Sequence, residues 1–186
     1  MTSGEREPTP FHDVDIRYQW RGAFQNTEVN SLHAEAFCHD LNDVDWWSQV
    51  AHHSLGWVCA QDQEGELVGF VNVPWGGGAH AFIQDTMVSK RLRHREIGSE
   101  LIAIAIRYSR GRGCEWLHVD FEESLSRFYF GSCGFSPTSA GIINLLGGST
   151  YAMDVVVPEL EIAQQPFVIF IPVGLASSSP RTSGAG

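Results

Sequence analysis

The stretch that decides the fold is DTMVSKRLRHREIGSELI, residues 85–102. An apolar segment ends at Val88, and a helical pattern begins near Ile97. The first turn of a helix has unpaired backbone N–H groups and a partial positive charge, so a basic turn at this point predicts an anion-binding site. The alternative is a solvated basic corner. Four of the chain's 12 basic residues fall within six positions of this stretch, namely Lys90, Arg91, Arg93 and Arg95.

The segments around this turn predict a mixed sheet flanked by helices. Apolar residues recur at helical spacing from Ile97 to Arg110, between predicted strands at 81–88 and 114–121. A helix that joins two neighbouring strands makes a βαβ unit, whose strands are parallel. The other predicted elements are a strand at 14–22, helices at 26–37 and 43–54, strands at 55–61 and 67–75, a short helix at 122–133 and a strand at 135–146.

Composition predicts a single globular domain of 186 residues, and a net charge of −10 argues against nucleic acid as a partner. We see no apolar run that could cross a membrane and no signal peptide, so we expect a cytoplasmic protein. The cysteines are scattered without a CxxC pair, which predicts no metal site and reduced, buried thiols. We divide the chain into a leader at 1–12, a domain at 13–146 and a β-rich extension at 147–186, which favours a homodimer.

The basic turn resembles the acetyl-CoA signature of the GCN5-related N-acetyltransferase (GNAT) superfamily. In that signature a strand ending in valine is followed by Arg/Gln-x-x-Gly-x-Gly/Ala at the start of a helix. Arg93 occupies the Arg/Gln place, Ile97 the apolar place and Gly98 the final glycine. Glu96 departs from the pattern, which usually has glycine there, and a glutamate near a pyrophosphate is unfavourable unless its side chain points away.

A second stretch, FYFGSCGF at residues 128–135, is similar to the family's aromatic helix that ends in Gly-Phe. The order of the predicted elements also matches the GNAT layout, and the resemblance covers roughly residues 14–146. It implies an α+β fold of the GNAT type, with a mixed central sheet whose two parallel strands splay apart. Those strands would be FIQDTMV, at 82–88, and CEWLHVD, at 114–120.

The resemblance implies an acetyl-CoA-dependent N-acetyltransferase, with acetyl-CoA as co-substrate and a primary amine of a small molecule or peptide as acceptor. The amine would attack the thioester directly, in the opening between the splayed strands. Arg91, Arg93 and Arg95 could reach further phosphates as charge-assisted donors. The cofactor-binding residues implied by the resemblance are Met87, Val88, Arg93, His94, Arg95, Glu96, Ile97, Gly98 and Ser99.

Two catalytic positions follow from the same resemblance. Many relatives protonate the departing thiolate with a tyrosine four residues before the glycine of Gly-Phe. Counting back from Gly134 gives Phe130, which cannot donate, so either the helix end is shifted and Tyr129 donates, or a water does. The amine must also lose a proton, because an alkylammonium titrates near ~10. Asp85 is the first choice for this base, and the other candidates are Glu115, Asp120, Glu122, His80 and His118.

Alternatives from other functional classes remain at this point. Phe130 and Glu96 favour a GNAT-like module that senses acyl-CoA without turnover. Transfer of a larger acyl group such as succinyl would need a second basic cluster, which the sequence does not show. Residues 52 and 53 are histidines that we assign to a helix surface. The tryptophans at 20, 46, 47 and 75 could line an acceptor pocket, although packing is the favoured interpretation.

Overall fold

The computed structural model describes residues 15–143, and a five-stranded sheet forms its centre. The strands lie in chain order across the sheet, and the first three neighbouring pairs are antiparallel while β4 and β5 are parallel. The sheet is therefore mixed, as the sequence predicts. The strands are β1 (Arg17–Trp20), β2 (Ser54–Gln61), β3 (Leu67–Pro74), β4 (His80–Val88) and β5 (Trp116–Val119).

Three helices cover the two faces of the sheet and close a hydrophobic cluster on each. The helix α3 (Ile97–Gly111) packs on one face, where its buried Leu101 and Ile102 meet the strands. The helices α1 (Asn26–Phe37) and α2 (Trp46–His53) pack on the other face. These bounds agree closely with the predicted helices because each has a continuous apolar stripe at helical spacing. We call the two sides the α3 face and the α1 face.

The parallel strands β4 and β5 separate after a short paired stretch. Pairing runs from His80 with Trp116 to Ile83 with Val119, and β4 continues to Val88 without β5 beside it. The antiparallel neighbour β3 stays paired with β4 as far as Val88. The splayed parallel strands that the resemblance implies are thus present, and they leave an opening beside the second half of β4.

A β-bulge lies in the unpaired half of β4. Phe70 pairs with Met87 and Asn72 pairs with Gln84, so β4 holds one residue more than β3 between these two pairs. Asp85, inside the bulge, has a left-handed φ of 52°. In a regular strand residues 83 and 87 would share one face, but Ile83 packs on the α3 face and Met87 on the α1 face. The extra residue therefore reverses the direction of every side chain after it.

The predicted helix at 122–133 is instead a 3₁₀ turn (Glu123–Leu125) followed by a π-helical turn (Arg127–Ser132). The Cys133 N–H donates to the carbonyl of Phe128 at 3.0 Å, five residues back along the chain. A π-helical turn accommodates one residue more than an α-helical turn. As a result Tyr129 faces the core and is 5% exposed, while Phe130 is 38% exposed.

Two other predictions are wrong within the described residues. No strand forms over 135–143, where Pro137 lacks the N–H donor that a ladder needs. Cys38 is exposed, although Cys59 is buried and all four thiols are free. No helix among residues 15–143 is long and apolar enough to cross a membrane. The predicted leader at 1–12 and extension at 147–186 lie outside the described residues.

Candidate active site

The opening between β4 and β5 exposes one edge of β4. From Gln84 to Val88 this edge has no strand beside it on the β5 side, because β5 ends its pairing at Val119. An unpaired strand edge presents N–H and C=O groups that an extended ligand can bond in place of a strand. The edge is therefore shaped for a linear chain carrying amide groups.

The basic turn brings a second set of free backbone donors to the end of the same edge. The first bond within α3 is from the Glu100 N–H to the Glu96 carbonyl at 3.0 Å, so the N–H groups of Ile97, Gly98 and Ser99 precede it. No side chain caps this helix start, and the Ser99 hydroxyl donates to the Glu96 carbonyl at 2.7 Å instead. These three amides are available to an anion.

The cations of the turn are less available than the sequence suggests. Arg91 binds Asp62 at 2.7 Å and Glu66 at 2.8 Å, on the turn between β2 and β3, so its guanidinium is already paired with two carboxylates. Arg93 donates to the carbonyls of Val88 at 3.3 Å and Ala36 at 3.4 Å, which ties β4 to the end of α1. Arg95 is exposed and bonds to no other described residue.

Side chains of three predicted cofactor residues point into the protein. Met87 and Ile97 are buried in opposite clusters, and Val88 is half-buried, so these residues can offer only backbone groups or a short apolar surface. A Cβ atom at Gly98 would lie 3.2 Å from the Phe128 ring and 3.7 Å from Val88. Gly98 therefore admits the ring of Phe128 at the helix start.

Glu96 occupies the family's glycine position in a backbone conformation that explains the glycine. Its φ is 61° and its ψ is 0°, and His94 has a φ of 64° two residues earlier. The left-handed region costs a residue with a Cβ atom roughly 1–2 kcal/mol, whereas glycine adopts it freely. The exposed glutamate is thus held in a strained turn beside the free amides.

We expect Glu96→Gly to raise the free energy of unfolding by up to about 1 kcal/mol, because it removes the left-handed strain. We also expect it to strengthen binding of coenzyme A about threefold, because it removes a negative charge beside the amides at which the phosphates are expected. Urea unfolding and calorimetric titration measure the two effects.

The control is Glu96→Gln, which removes the charge and keeps the strained Cβ atom. It should strengthen coenzyme A binding to the same degree and leave stability unchanged. Equal stabilisation by both variants would mean that charge, and not backbone strain, sets the cost at this position.

On the α3 face of the opening, Tyr129 lies against Thr86 of the bulged segment. Burial raises the pKa of the Tyr129 phenol; the neighbouring Thr86 hydroxyl acts in the opposite direction, and Cys133 adds to the rise. Although the two hydroxyls are neighbours, their geometry does not meet that of a hydrogen bond, and the buried Thr86 Oγ1 has no partner among the described residues. The two hydroxyls can therefore form further hydrogen bonds with a ligand.

On the α1 face, Asp85 projects toward His33 of α1. The Asp85 Oδ1 atom lies 3.8 Å from His33 Nε2, and the two side chains are 21% and 25% exposed. Burial raises the pKa of Asp85, while His33 and the neighbouring Asn72 side chain oppose that rise. A carboxylate whose pKa is raised toward neutrality is better matched to accepting a proton from an amine.

The other candidate bases are spread along the two strands. Glu115 precedes β5 at the paired end, away from the opening, while Asp120 and Glu122 are exposed and follow β5 at the open end. His80 Nδ1 lies 2.7 Å from His118 Nε2, and the His118 ring stacks on Phe82 at 4.9 Å. Across the described residues, no three His, Cys, Asp or Glu side chains are grouped to hold a metal ion.

The tryptophans mainly pack. Trp46 is 4% exposed and donates from its indole to Asn30 at 2.9 Å, and Trp20 stacks on Tyr108 at 4.6 Å. Trp47 is half-exposed at the start of α2. The histidines at 52 and 53 lie on the exposed side of α2, as predicted. Sequence reasoning missed His33, because helical periodicity gives no sign that one histidine of α1 meets a bulge 52 residues later in the chain.

Comparisons with known proteins agree with this architecture. A family model described as the acetyltransferase (GNAT) family matches residues 17–135. A search of curated proteins found no match. Among solved structures, a Trypanosoma brucei acetyltransferase superposes with a TM-score of 0.61 at 18% identity, over 70% of this chain and 99% of that one.

Two further structures with similar folds have more specific names. Glucosamine-6-phosphate N-acetyltransferase from Arabidopsis thaliana has a TM-score of 0.58 at 13% identity, over 72% of this chain and 99% of that one. The aminoglycoside N-acetyltransferase AAC(6')-Iy in complex with CoA has a TM-score of 0.58 at 16% identity, over 74% of this chain and 97% of that one. Identities of this size establish a shared fold and no more.

Proposed function

Because this chain belongs to the GNAT acetyltransferase family, we propose that it moves the acetyl group of acetyl-CoA to a primary amine of a small molecule or peptide. The β4 edge from Gln84 to Val88 would pair with the amide-bearing arm of the co-substrate. The backbone amides from Arg93 to Ser99 would bind the pyrophosphate, and the Arg95 side chain would bind a further phosphate. The open edge, the uncapped helix and the spare Thr86 hydroxyl support this assignment.

One observation carries the proposal. The bulge of β4 sends two consecutive side chains to opposite faces of the sheet, Asp85 toward His33 on the α1 face and Thr86 toward Tyr129 on the α3 face. A thioester lying between them at the strand edge would have a proton acceptor on one side and a proton donor on the other. Such an arrangement would favour direct acyl transfer, because the amine loses a proton as the departing sulfur gains one.

The residues divide the chemistry as follows. Acetyl-CoA supplies the acetyl thioester. Asp85 accepts the proton of the acceptor ammonium at its carboxylate, which frees the nitrogen lone pair for attack. A backbone N–H near Val88 is positioned to stabilise the negative charge that develops on the acyl oxygen. Tyr129 donates its phenolic proton to the sulfur as the C–S bond breaks, and the second proton that the nitrogen loses as the amide forms returns through solvent to the phenolate. The raised pKa keeps the phenol protonated until the donation.

The acceptor would approach from the α1 face, where Asp85 projects. Phe82, which is 47% exposed, and the stacked ring of His118 lie on β4 and β5 beside this position. Such a surface suits an amine that also carries an apolar or planar group. The glucosamine-6-phosphate and aminoglycoside enzymes are named as N-acetyltransferases of small molecules, which supports a small-molecule acceptor by analogy of fold.

The test is a thiol-release assay with acetyl-CoA and a panel containing an aromatic amine, a polyamine, an amino sugar and a peptide with a free amino terminus. It is combined with calorimetric titration of coenzyme A. We expect release above the amine-free rate with at least one class. Tight binding without release from any class would favour the acyl-CoA sensor, and no binding at all would overturn the family's activity for this chain.

Replacement of Arg95 identifies the phosphate end of the site. We expect Arg95→Ala to weaken coenzyme A binding about tenfold, because a charge-assisted hydrogen bond is lost. The control is Arg112→Ala, which removes the same charge at the exposed far end of α3, a helix of 15 residues and roughly 22 Å. Equal losses in the two variants would show that overall charge, and not the turn, governs binding.

A further inference from the structure

Three side chains form a connected row from the bulge of β4 to the protein surface. His33 Nε2 lies 3.8 Å from Asp85 Oδ1, and His33 Nδ1 lies 2.6 Å from His39 Nε2. His39 Nδ1 in turn lies 2.6 Å from the backbone carbonyl of Asp40. His39 follows α1 and is exposed, so the row links the candidate base to solvent through α1.

The carbonyl at the end of the row determines which nitrogen of each ring holds a proton. A carbonyl oxygen only accepts, so a neutral His39 carries its proton on Nδ1 and presents a lone pair at Nε2. His33 must then donate to that lone pair from its own Nδ1. A neutral His33 therefore presents the lone pair of Nε2 to Asp85.

This arrangement lets Asp85 and His33 take up one proton between them. An ionised carboxylate and an unprotonated imidazole nitrogen both accept, so neither can bond the other until a proton lies on one of them. Burial lowers the pKa of His33, with Asp85 opposing and His39 adding to the change. Burial raises the pKa of Asp85, where His33 and Asn72 oppose the change. Asp85 and His33 therefore each oppose the shift that burial causes in the pKa of the other.

The surroundings of the pair are otherwise apolar. The His33 ring lies 4.6 Å from Phe37 and 5.2 Å from Trp46, measured between ring centroids. The groups that face the pair are Asn72 from β3 and His39 from the segment after α1. Neither is a cation that would hold Asp85 ionised permanently. Among these groups, His33 Nε2 is the titratable lone pair that faces Asp85.

We propose that Asp85 and His33 act together as the base of the reaction, and that His39 is a positioning residue that holds His33 in the accepting tautomer. This proposal rests on the proposed function. The N–H bond of the acceptor ammonium breaks as an O–H bond forms on Asp85. That O–H bond then breaks as an N–H bond forms on His33 Nε2, through one water because the gap is 3.8 Å. The His33 imidazolium loses this proton to solvent after the product leaves.

The first experiment measures kcat/KM against pH for the wild type, His33→Gln and His39→Ala, with the amine that gives thiol release. We expect His33→Gln to lower the rate about 10- to 100-fold, with little change in the KM of acetyl-CoA. The acidic limb of its pH profile should move to higher pH, because His33 no longer lowers the pKa of Asp85. His39→Ala should move the limb in the same direction, because His39 lowers the pKa of His33.

The matched control is His52→Ala. His52 is also an exposed histidine whose Nδ1 contacts a backbone carbonyl, that of Ser48 at 2.7 Å, and it lies in α2 outside the row. Its removal should leave the pH profile unchanged. Turnover by the wild type with the same profile in all three variants would overturn the dyad while the proposed function stands. Absence of turnover with every amine would count against the proposed function itself.

The second experiment does not depend on an acceptor. Nitrogen-15 spectra of the imidazole rings in the 186-residue chain report which ring nitrogen holds the proton. We expect neutral His33 to carry it on Nδ1 in the wild type, and to change toward Nε2 in His39→Ala, because the constraint from His39 is lost. A wild-type His33 protonated on Nε2 would overturn the proposal, whatever the turnover.

Discussion

Tyr129→Phe is expected to lower kcat about 10²- to 10⁴-fold while coenzyme A binding stays near that of the wild type. The phenol is the proposed proton donor, and burial raises its pKa so that it stays protonated at neutral pH. Loss of the hydroxyl leaves the ring packed against Phe121, whose centroid lies 4.6 Å away, so the fold should persist. Steady-state kinetics and thermal unfolding measure the two effects.

The sharpest control moves the hydroxyl by one residue. Counting back four residues from Gly134 places the family's tyrosine at residue 130, so Tyr129→Phe combined with Phe130→Tyr would restore activity if the counting rule held. The π-helical turn instead places residue 130 outside the core, 38% exposed. We therefore expect no recovery. Recovery in the double variant would show that Tyr129 packs and that the helix has the ordinary pitch during turnover.

Asp85→Asn is expected to lower kcat/KM about 10²- to 10⁴-fold at neutral pH and, unlike most losses of a buried group, to keep or raise stability. The folded protein raises the pKa of this carboxyl, so above its ordinary titration range the native state binds more protons than the unfolded state. Stability therefore falls as pH rises through that window, and the full penalty applies above the folded pKa. Asparagine has no such penalty.

Urea unfolding at several pH values, together with kinetics, tests both parts. The wild type should lose stability between the unfolded and the raised folded pKa of Asp85, and Asp85→Asn should lose less over the same window. Asp120→Asn changes the same charge at the exposed end of the opening. A larger loss of kcat/KM in Asp120→Asn than in Asp85→Asn would contradict the assignment of the base to β4.

Most of the fold could be predicted from the sequence because its elements are regular. The bounds of α1 and α3 follow from apolar stripes, and the strand pairs follow from runs of β-branched residues broken by turns. The strand expected at 135–146 fails over 135–143 because an apolar run does not guarantee a ladder where Pro137 removes a donor.

The site was less predictable, because its two key features break the regular repeat. The bulge at Asp85 adds one residue to a strand, and the π-helical turn at Tyr129 adds one to a helix. An analysis of hydrophobic periodicity assumes a constant repeat, so it detects neither inserted residue. The binding partners of Arg91 were equally hidden, since Asp62 and Glu66 lie 29 and 25 residues away and the resemblance describes only the local turn.

The π-helical turn also affects how related chains are judged. A comparison that checks only the fourth residue before the glycine would find Phe130 and class this protein with inactive members of the family. Yet one extra residue in the turn carries the neighbouring hydroxyl of Tyr129 into the core beside β4. The absence of a tyrosine at the customary position therefore does not identify a pseudoenzyme when the turn is π-helical, because the neighbouring residue can take that place.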